Sequence, residues 1–177
     1  ILTAEDPVEY ELEGIGQVHV REDIGFTFAS ALRSFLRQDP EVILVGEIRD
    51  KDTVDIALKA ALTGHLVFST LHTNNALGSI IRLLDMETPN YLISSALSLV
   101  VAQRLIRRLC PECKIIDDKI TAKILSSIGI ASPQSDRARI YKSKGCNHCN
   151  QSGHKGRMGI YEILEIDKNM KLGILQG

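Results

Sequence analysis

The chain has 177 residues, enough for one domain, or one domain with a small appendage, that buries roughly 70% of its unfolded surface. Its 44% hydrophobic and 24% charged residues, with 13 Gly and 5 Pro, exclude a disordered or collagen-like chain. Lys and Arg number 21 against 22 Asp and Glu, and the resulting formal charge of -1 argues against a general nucleic-acid coat, which carries a basic excess.

The elements follow in chain order. Gln17 to Val20 reads as a hairpin arm. Thr27 to Gln38 sets Phe28, Leu32, Phe35 and Leu36 at helical spacing and is closed by Asp39-Pro40. Val42 to Val45 and His65 to Thr70 are short β-branched apolar runs, the pattern of strands buried on both faces. Between them, Asp52 to Leu62 places Val54, Ala57, Leu58, Ala61 and Leu62 on one helical face, with Gly64 at the C-terminal cap. This alternation predicts βαβ units and a parallel sheet, an α/β fold. Asn75 to Leu109 reads as helical throughout, with Leu92, Ile93, Ala96, Leu97, Val100 and Val101 on a helix buried over most of its circumference. Gln103, Arg104, Arg107 and Arg108 interrupt this most apolar stretch, so no run reaches the length of a membrane span. There is no secretory signal, and membrane contact is expected only through a partner. Ile115 to Gly145 is polar, with one helix near Thr121 to Ile128 and a loop at Ser132-Pro133-Gln134-Ser135. Met158 to Ile166 alternates weakly, as a strand. The opening on Ile1-Leu2-Thr3 and the stop at Gly177 read as a piece of a longer protein.

Ligands of an open parallel sheet bind outside the carboxyl ends of its strands. Glu47 follows the strand Val42 to Val45 directly, where a carboxylate can orient a water or accept its proton during phosphoryl transfer. The plain alternative is a turn residue paired with Arg49. The second strand ends in Ser69, Thr70, His72, Thr73 and Asn74, which places His72 at the same rim, ready to donate to a phosphate oxygen or a water. His65, at that strand's start, faces the opposite end of the sheet. Glu5, Asp6 and Glu9 surround Pro7, and three carboxylates this close repel unless a cation lies between them; Glu5 and Asp6 then reach a hydrated Mg2+, or the segment is a solvated acidic turn. Arg33 and Arg37, at i and i+4, are like charges that an anion, a phosphate or a neighbouring subunit's carboxylate, would bridge.

The four cysteines form two C-x-x-C pairs, Cys110 with Cys113 and Cys146 with Cys149. In a chain without a secretion signal such pairs read as the four thiolates of a structural Zn2+ site before they read as disulfides. A tetrathiolate site has no open position, so it would staple a subdomain rather than catalyse.

Glu5-Asp6-Pro7-Val8-Glu9, Leu36-Arg37-Gln38-Asp39-Pro40, Val45-Gly46-Glu47-Ile48-Arg49-Asp50 and Thr63-Gly64-His65 through Leu71-His72-Thr73-Asn74 strongly resemble the type II secretion and type IV pilus assembly ATPase family. Gln103-Arg104-Leu105 before the first cysteine pair, and Gly156-Arg157-x-Gly159-Ile160-Tyr161-Glu162, extend the resemblance to nearly the whole chain. The resemblance implies an Asp box, a Walker B motif and a His box on a partial RecA-like P-loop NTPase core over residues 1–109, with a small tetracysteine zinc subdomain over 110–177. It implies Glu47 as general base, Mg2+-water contacts from Glu5 and Asp6, a phosphate-sensing His72, and a nucleotide site that takes in Gly46 and His65. Catalytic roles for Glu9, Arg33 and Arg37 go with it. The resemblance further implies a cytoplasmic homo-hexamer at the bacterial inner membrane, acting on a platform protein and binding no nucleic acid. Gly46 stands where most P-loop ATPases carry a Mg2+-binding Asp. No G-x-x-x-x-G-K-[ST] occurs in the 177 residues, so the phosphate-cradling loop is expected upstream of Ile1 and this piece alone is expected not to hydrolyse ATP. Assembly-type members of the family carry such a tetracysteine motif, which tilts the expectation towards pilus or pseudopilus extension. A zinc-stapled interaction module without catalysis, and a RecA-type nucleic-acid motor, are the readings that compete.

Overall fold

The structure, a computed structural model, describes residues 1–130 and 138–176. The loop expected at Ser132 to Ser135 lies outside the described residues. They fall into two compact units, 1–102 with 161–177, and 103–160.

The first unit is built on a four-stranded, wholly parallel sheet: β1 (Leu2–Glu5), β2 (Gly16–His19), β3 (Val42–Val45) and β4 (Leu66–Ser69), in the order β2-β1-β3-β4. Parallel pairing puts the carboxyl ends of β1, β3 and β4 at one rim, with Ala4 opposite Val45 and Val45 opposite Ser69. Helix α1 (Phe28–Phe35) starts where Thr27 accepts a hydrogen bond from the Ser30 N–H and Ser30 accepts one from the Thr27 N–H, a reciprocal cap. Helix α2 (Lys51–Leu62) starts where Asp50 accepts from the Thr53 N–H at 2.8 Å. Phe28, Leu32 and Phe35 of α1 and Ala57 and Ala60 of α2 close with Ala4, Ile43 and Val45 of the sheet into one apolar cluster.

The structure corrects three expectations. β2 is not a hairpin arm: it pairs parallel to β1, Leu2 opposite Gly16 and Glu5 opposite His19, because residues 6–15 carry the chain back to the amino end of β1. Within this chain β4 is not buried on both faces: it stands last in the strand order, and Leu66 and Phe68 are 54% and 52% exposed. The long helix also does not form. Helix α3 (Ala76–Asp85) ends at Met86, and a second short helix, α4 (Asn90–Ala96), ends at Leu97, whose backbone is extended (φ −75°, ψ 128°); Leu99–Leu109 is strand β5. Apolar residues are dense enough in Leu92 to Val101 to satisfy a helical and an alternating period at once. α4 and α3 supply Leu92, Ile93, Ile80 and Leu83 to a second cluster, which α6 (Lys168–Gln176) joins through Ile174.

In the second unit, β6 (Ile115–Ile116) pairs antiparallel with β7 (Tyr141–Lys142), and α5 (Ala122–Ser127) lies where a helix was expected. β8 (His154–Glu165) pairs with β5. Among the described residues the buried apolar side chains of residues 103–160 are only Cys110, Cys113, Leu125 and Cys149. No helix among the described residues is long and apolar enough to cross a membrane.

Candidate functional site

At the carboxyl rim of the parallel sheet lies a cavity of about 210 Å³ lined by Glu5, Asp6, Pro7, Phe28, Gly46, Glu47, Thr70 and His72. Topology alone brings these together: β1 delivers Glu5 and Asp6, β3 delivers Gly46 and Glu47, and β4 delivers Thr70 and His72. The rim is latched because Thr70 donates its hydroxyl to the Gly46 carbonyl at 2.7 Å, while the Ile48 N–H donates to the Thr70 carbonyl at 3.1 Å.

Glu47 is the centre of the site. Arg49 donates to its Oε1, and His72 Nε2 lies 2.7 Å from its Oε2. Its side chain is 16% exposed, whereas that of His72 is 82% exposed. The Arg49 guanidinium beside it, and then His72, hold its carboxyl below the usual carboxylate range against burial, which pushes it up. Glu5 is held in place by the Thr3 hydroxyl and by Gln17 Nε2 at 3.0 Å, and these donors also lower its pKa. Asp6 lies 3.4 Å from Arg49 and 3.8 Å from His19, so Arg49 stands among Glu47, Asp6 and Glu22.

Gly46 has a steric reason. Its N–H donates to the Ala4 carbonyl at 2.8 Å, and a Cβ there would stand 3.0 Å from the same oxygen and 3.5 Å from the Phe28 ring. An Asp in its place would push β1 and β3 apart at the point where both present their carboxylates.

The other sequence candidates lie apart from the cavity. His65 stands at the amino end of β4, where its Nδ1 is 3.1 Å from the Ala60 carbonyl and 3.3 Å from the Thr63 hydroxyl; it finishes α2. Arg33 finds its counter-charge within the chain, Nη2 lying 2.6 Å from Asp52 of α2, and Arg37 donates to Ser34 at 3.3 Å. Glu9 is exposed and does not line the cavity. Gln17 escaped the sequence reading. From β2 it donates to Glu5 and to the Tyr10 carbonyl and accepts from the Leu12 N–H, which ties down the acidic loop. A lone Gln in a short strand carries no signal of that. Arg49 figured there only as the partner that would make Glu47 an ordinary turn residue.

The four cysteines converge in the second unit. Their sulfurs lie within 4.8 Å of one another, with Sγ separations of 3.9 Å (Cys110 to Cys146), 3.9 Å (Cys113 to Cys149) and 3.8 Å (Cys146 to Cys149). These are too long for disulfides and match the edge of a tetrahedron whose centre-to-sulfur distance is about 2.3 Å, an edge of about 3.8 Å. Backbone N–H groups of Gly145, Cys146 and Gly153 point at the sulfurs at 3.2 to 3.3 Å, as thiolates require. Burial pushes the Cys113 thiol up to about 11. Burial acts on Cys149 too, but the N–H groups of Cys146 and Gly153 outweigh it and bring that thiol down to about 6. Among the described residues this is the only group of three or more His, Cys, Asp or Glu spaced to hold an ion.

The model of the family described as "Type II/IV secretion system protein" matches residues 1–177. The chain belongs to that family. The type IV pilus assembly ATPase PilB of Myxococcus xanthus is 48% identical over 177 residues, which cover 100% of this chain and 31% of that protein. The type II secretion system protein E of Pseudomonas aeruginosa is 51% identical over 173 residues, 97% of this chain and 34% of that protein. The chain thus spans about a third of the length of these secretion-family relatives. Among solved structures, the pilus retraction motor PilT with bound ADP superposes with a TM-score of 0.66 at 33% identity, over 99% of this chain and 41% of that one. The Legionella pneumophila ATPase DotB, at 23% identity and a TM-score of 0.61, shares the fold.

Proposed function

We propose that this chain is part of an ATP-hydrolysing site in a longer, homo-hexameric protein that powers assembly of a type IV pilus or a type II secretion pseudopilus. The observation that supports it is the 2.7 Å contact of Glu47 with His72, in one cavity with Glu5 and Asp6, at the rim where a parallel sheet receives its ligands. Glu47 is the general base: Arg49 keeps it ionised, and its carboxylate takes a proton from the water that attacks the terminal phosphate. His72, exposed beside it, donates to a phosphate oxygen. Glu5, preset by Thr3 and Gln17, and Asp6 accept from the waters of Mg2+, which when bound offsets the phosphate charge. Gly46 keeps the sheet closed beneath them, and Arg37 meets an anion at a contact between subunits, whereas Arg33 is taken up by Asp52. His65 acts through the carboxyl end of α2, and Glu9 through its backbone N–H, which donates to Glu5.

The 177 residues hold no G-x-x-x-x-G-K-[ST], so the Lys and backbone donors that cradle the phosphates belong to another segment of the longer protein, and this chain alone does not hydrolyse ATP. The four cysteines, whose spacing fits a tetrahedral thiophilic ion, hold one structural Zn2+. The setting that goes with this reading is the cytoplasmic face of a bacterial inner membrane, reached through a platform protein, with no nucleic acid bound.

The test is Glu47→Gln in the longer protein. Removal of the base is expected to lower kcat by ~10²–10⁴ with KM little changed. An unchanged kcat refutes the assignment, and a longer protein without any ATPase activity leaves the zinc-stapled interaction module as the reading.

A further inference from the structure

The near-neutral total conceals a strong separation of charge. Residues 103–160 carry twelve Lys and Arg against four Asp and Glu, whereas the rest of the chain carries nine against eighteen. The second unit is therefore at a formal +8, and a tetrathiolate-bound divalent ion, at −2, would still leave it near +6. Charge compensation of the metal site does not account for so large an excess.

Part of the excess converges. A cavity of about 240 Å³ in this unit is lined by Arg108, Leu109, Pro111, Lys114 and Lys155. That volume lies below the ~300–1,000 Å³ of a cleft that encloses a drug-sized ligand, so its occupant is compact. None of the three cations has a carboxylate within ion-pair distance among the described residues, whereas Lys142 of the same unit pairs with Asp117 at 3.2 Å. Instead, groups that carry no negative charge position the two lysines. Lys155 Nζ lies 2.9 Å from His148 Nε2 and donates to the His148 carbonyl at 3.5 Å, while Lys114 Nζ stands 4.6 Å from the centroid of the Tyr141 ring. Like charges around one cavity repel, and holding them there with an imidazole, a carbonyl and a ring leaves their charge available. A guanidinium with two ammonium groups around a small cavity is a donor set for a tetrahedral oxyanion: the planar fork binds two oxygens and the ammonium groups act as point charges.

We propose that this cavity is a binding site for a phosphate group, separate from the nucleotide chemistry of the Glu47 rim. It is formed by Arg108, Lys114 and Lys155 on a floor of Leu109 and Pro111. The phosphate belongs either to a small soluble molecule or to a lipid headgroup.

Inorganic phosphate titrated into the zinc-loaded 177-residue chain and followed by amide chemical shifts tests it, with a second arm that uses sedimentation with phosphatidylglycerol vesicles against phosphatidylcholine vesicles. Saturable shifts around Arg108 to Lys114 and Gly153 to Arg157 are expected. Arg108→Gln with Lys155→Gln should weaken binding at least about tenfold, whereas Lys123→Gln with Arg139→Gln, which removes the same charge elsewhere in the unit, should change it less than about twofold. Zinc content and the shifts of the cysteine amides, unchanged in both variants, show that neither has unfolded the unit. Phosphate binding lost in the first pair alone supports a soluble ligand. Retention on phosphatidylglycerol lost in the first pair alone, without phosphate shifts, supports the headgroup. Equal losses in both pairs, or no saturable binding in either arm, would overturn the site and leave diffuse charge.

Discussion

The two units of this chain are held together by different physics. In the first, helices α1 and α2 bury Phe28, Leu32, Phe35 and Ala57 against a parallel sheet, and a second cluster gathers Val54, Ile80, Leu83, Ile93 and Ile174. In the second, the described residues bury almost nothing apolar except three of the four cysteines and Leu125. The first unit carries an excess of nine negative charges and the second an excess of eight positive ones. Stability that comes from apolar area is spread over many residues and fails gradually as they are trimmed. On the proposed reading of the four cysteines, stability in the second unit is concentrated in four sulfurs and the ion they would hold, and is present or absent as a whole.

The largest effect that sharpens this contrast is removal of the metal. Binding of a structural zinc ion contributes on the order of 10 kcal/mol, so a chelator, or Cys113→Ser, is expected to abolish amide-exchange protection around the four cysteines and in β6 and β7 while β1, β3 and β4 keep theirs. Uniform loss of protection would mean that the units share one core. Purified protein with less than roughly a tenth of an equivalent of zinc and a folded second unit would break the contrast from the other side.

Next comes Ile93→Ala. This fully buried side chain belongs to the second cluster, and its truncation is expected to cost about 2–5 kcal/mol in denaturant unfolding of the first unit, with the cysteine site still metal-loaded. A cost below ~1 kcal/mol would show that the cluster collapses around the gap.

A smaller effect is read by pH. Because Arg49 and His72 depress the Glu47 pKa in the folded state, their contacts stabilise the first unit above the ordinary carboxylate range and are lost as pH falls through the lowered value. Arg49→Ala removes the leading cause and should raise the midpoint of the Glu47 side-chain carboxyl in a ¹³C titration. An unmoved midpoint would assign the shift to His72.

The smallest is Arg33→Ala. Both members of the Arg33–Asp52 pair are exposed, so its loss should cost no more than about 1 kcal/mol in thermal unfolding. A larger cost would give the pair a structural weight that its solvation does not suggest.

The site was legible in the sequence to the extent that topology is. Once Val42 to Val45 and His65 to Thr70 read as parallel strands, Glu47 and His72 had to meet at one rim, and they do. The C-x-x-C pairs were equally explicit, since thiolate ligation needs only four sulfurs that can reach one point. Less legible were the positions whose meaning depends on a neighbour remote in sequence. Gln17 holds Glu5 and the acidic loop only because β2 lies parallel to β1. Arg33 is neutralised by Asp52, 19 residues away, only because α1 packs on α2.

By itself the sequence determined the α/β class, α1, α2 and β3 through their periodicity and caps, the four cysteines that converge, and the family. It determined these because period, capping and ligand spacing are local properties. Tertiary structure decided that Leu97 ends a helix and that Leu99 to Leu109 is a strand, a choice that a run apolar at both periods leaves open. It also decided that β4 lies beside β3, that a side chain at position 46 would meet the Ala4 carbonyl, and that Arg108, Lys114 and Lys155 share one cavity. Those depend on which strands and loops come to lie beside one another, which no local pattern of residues encodes.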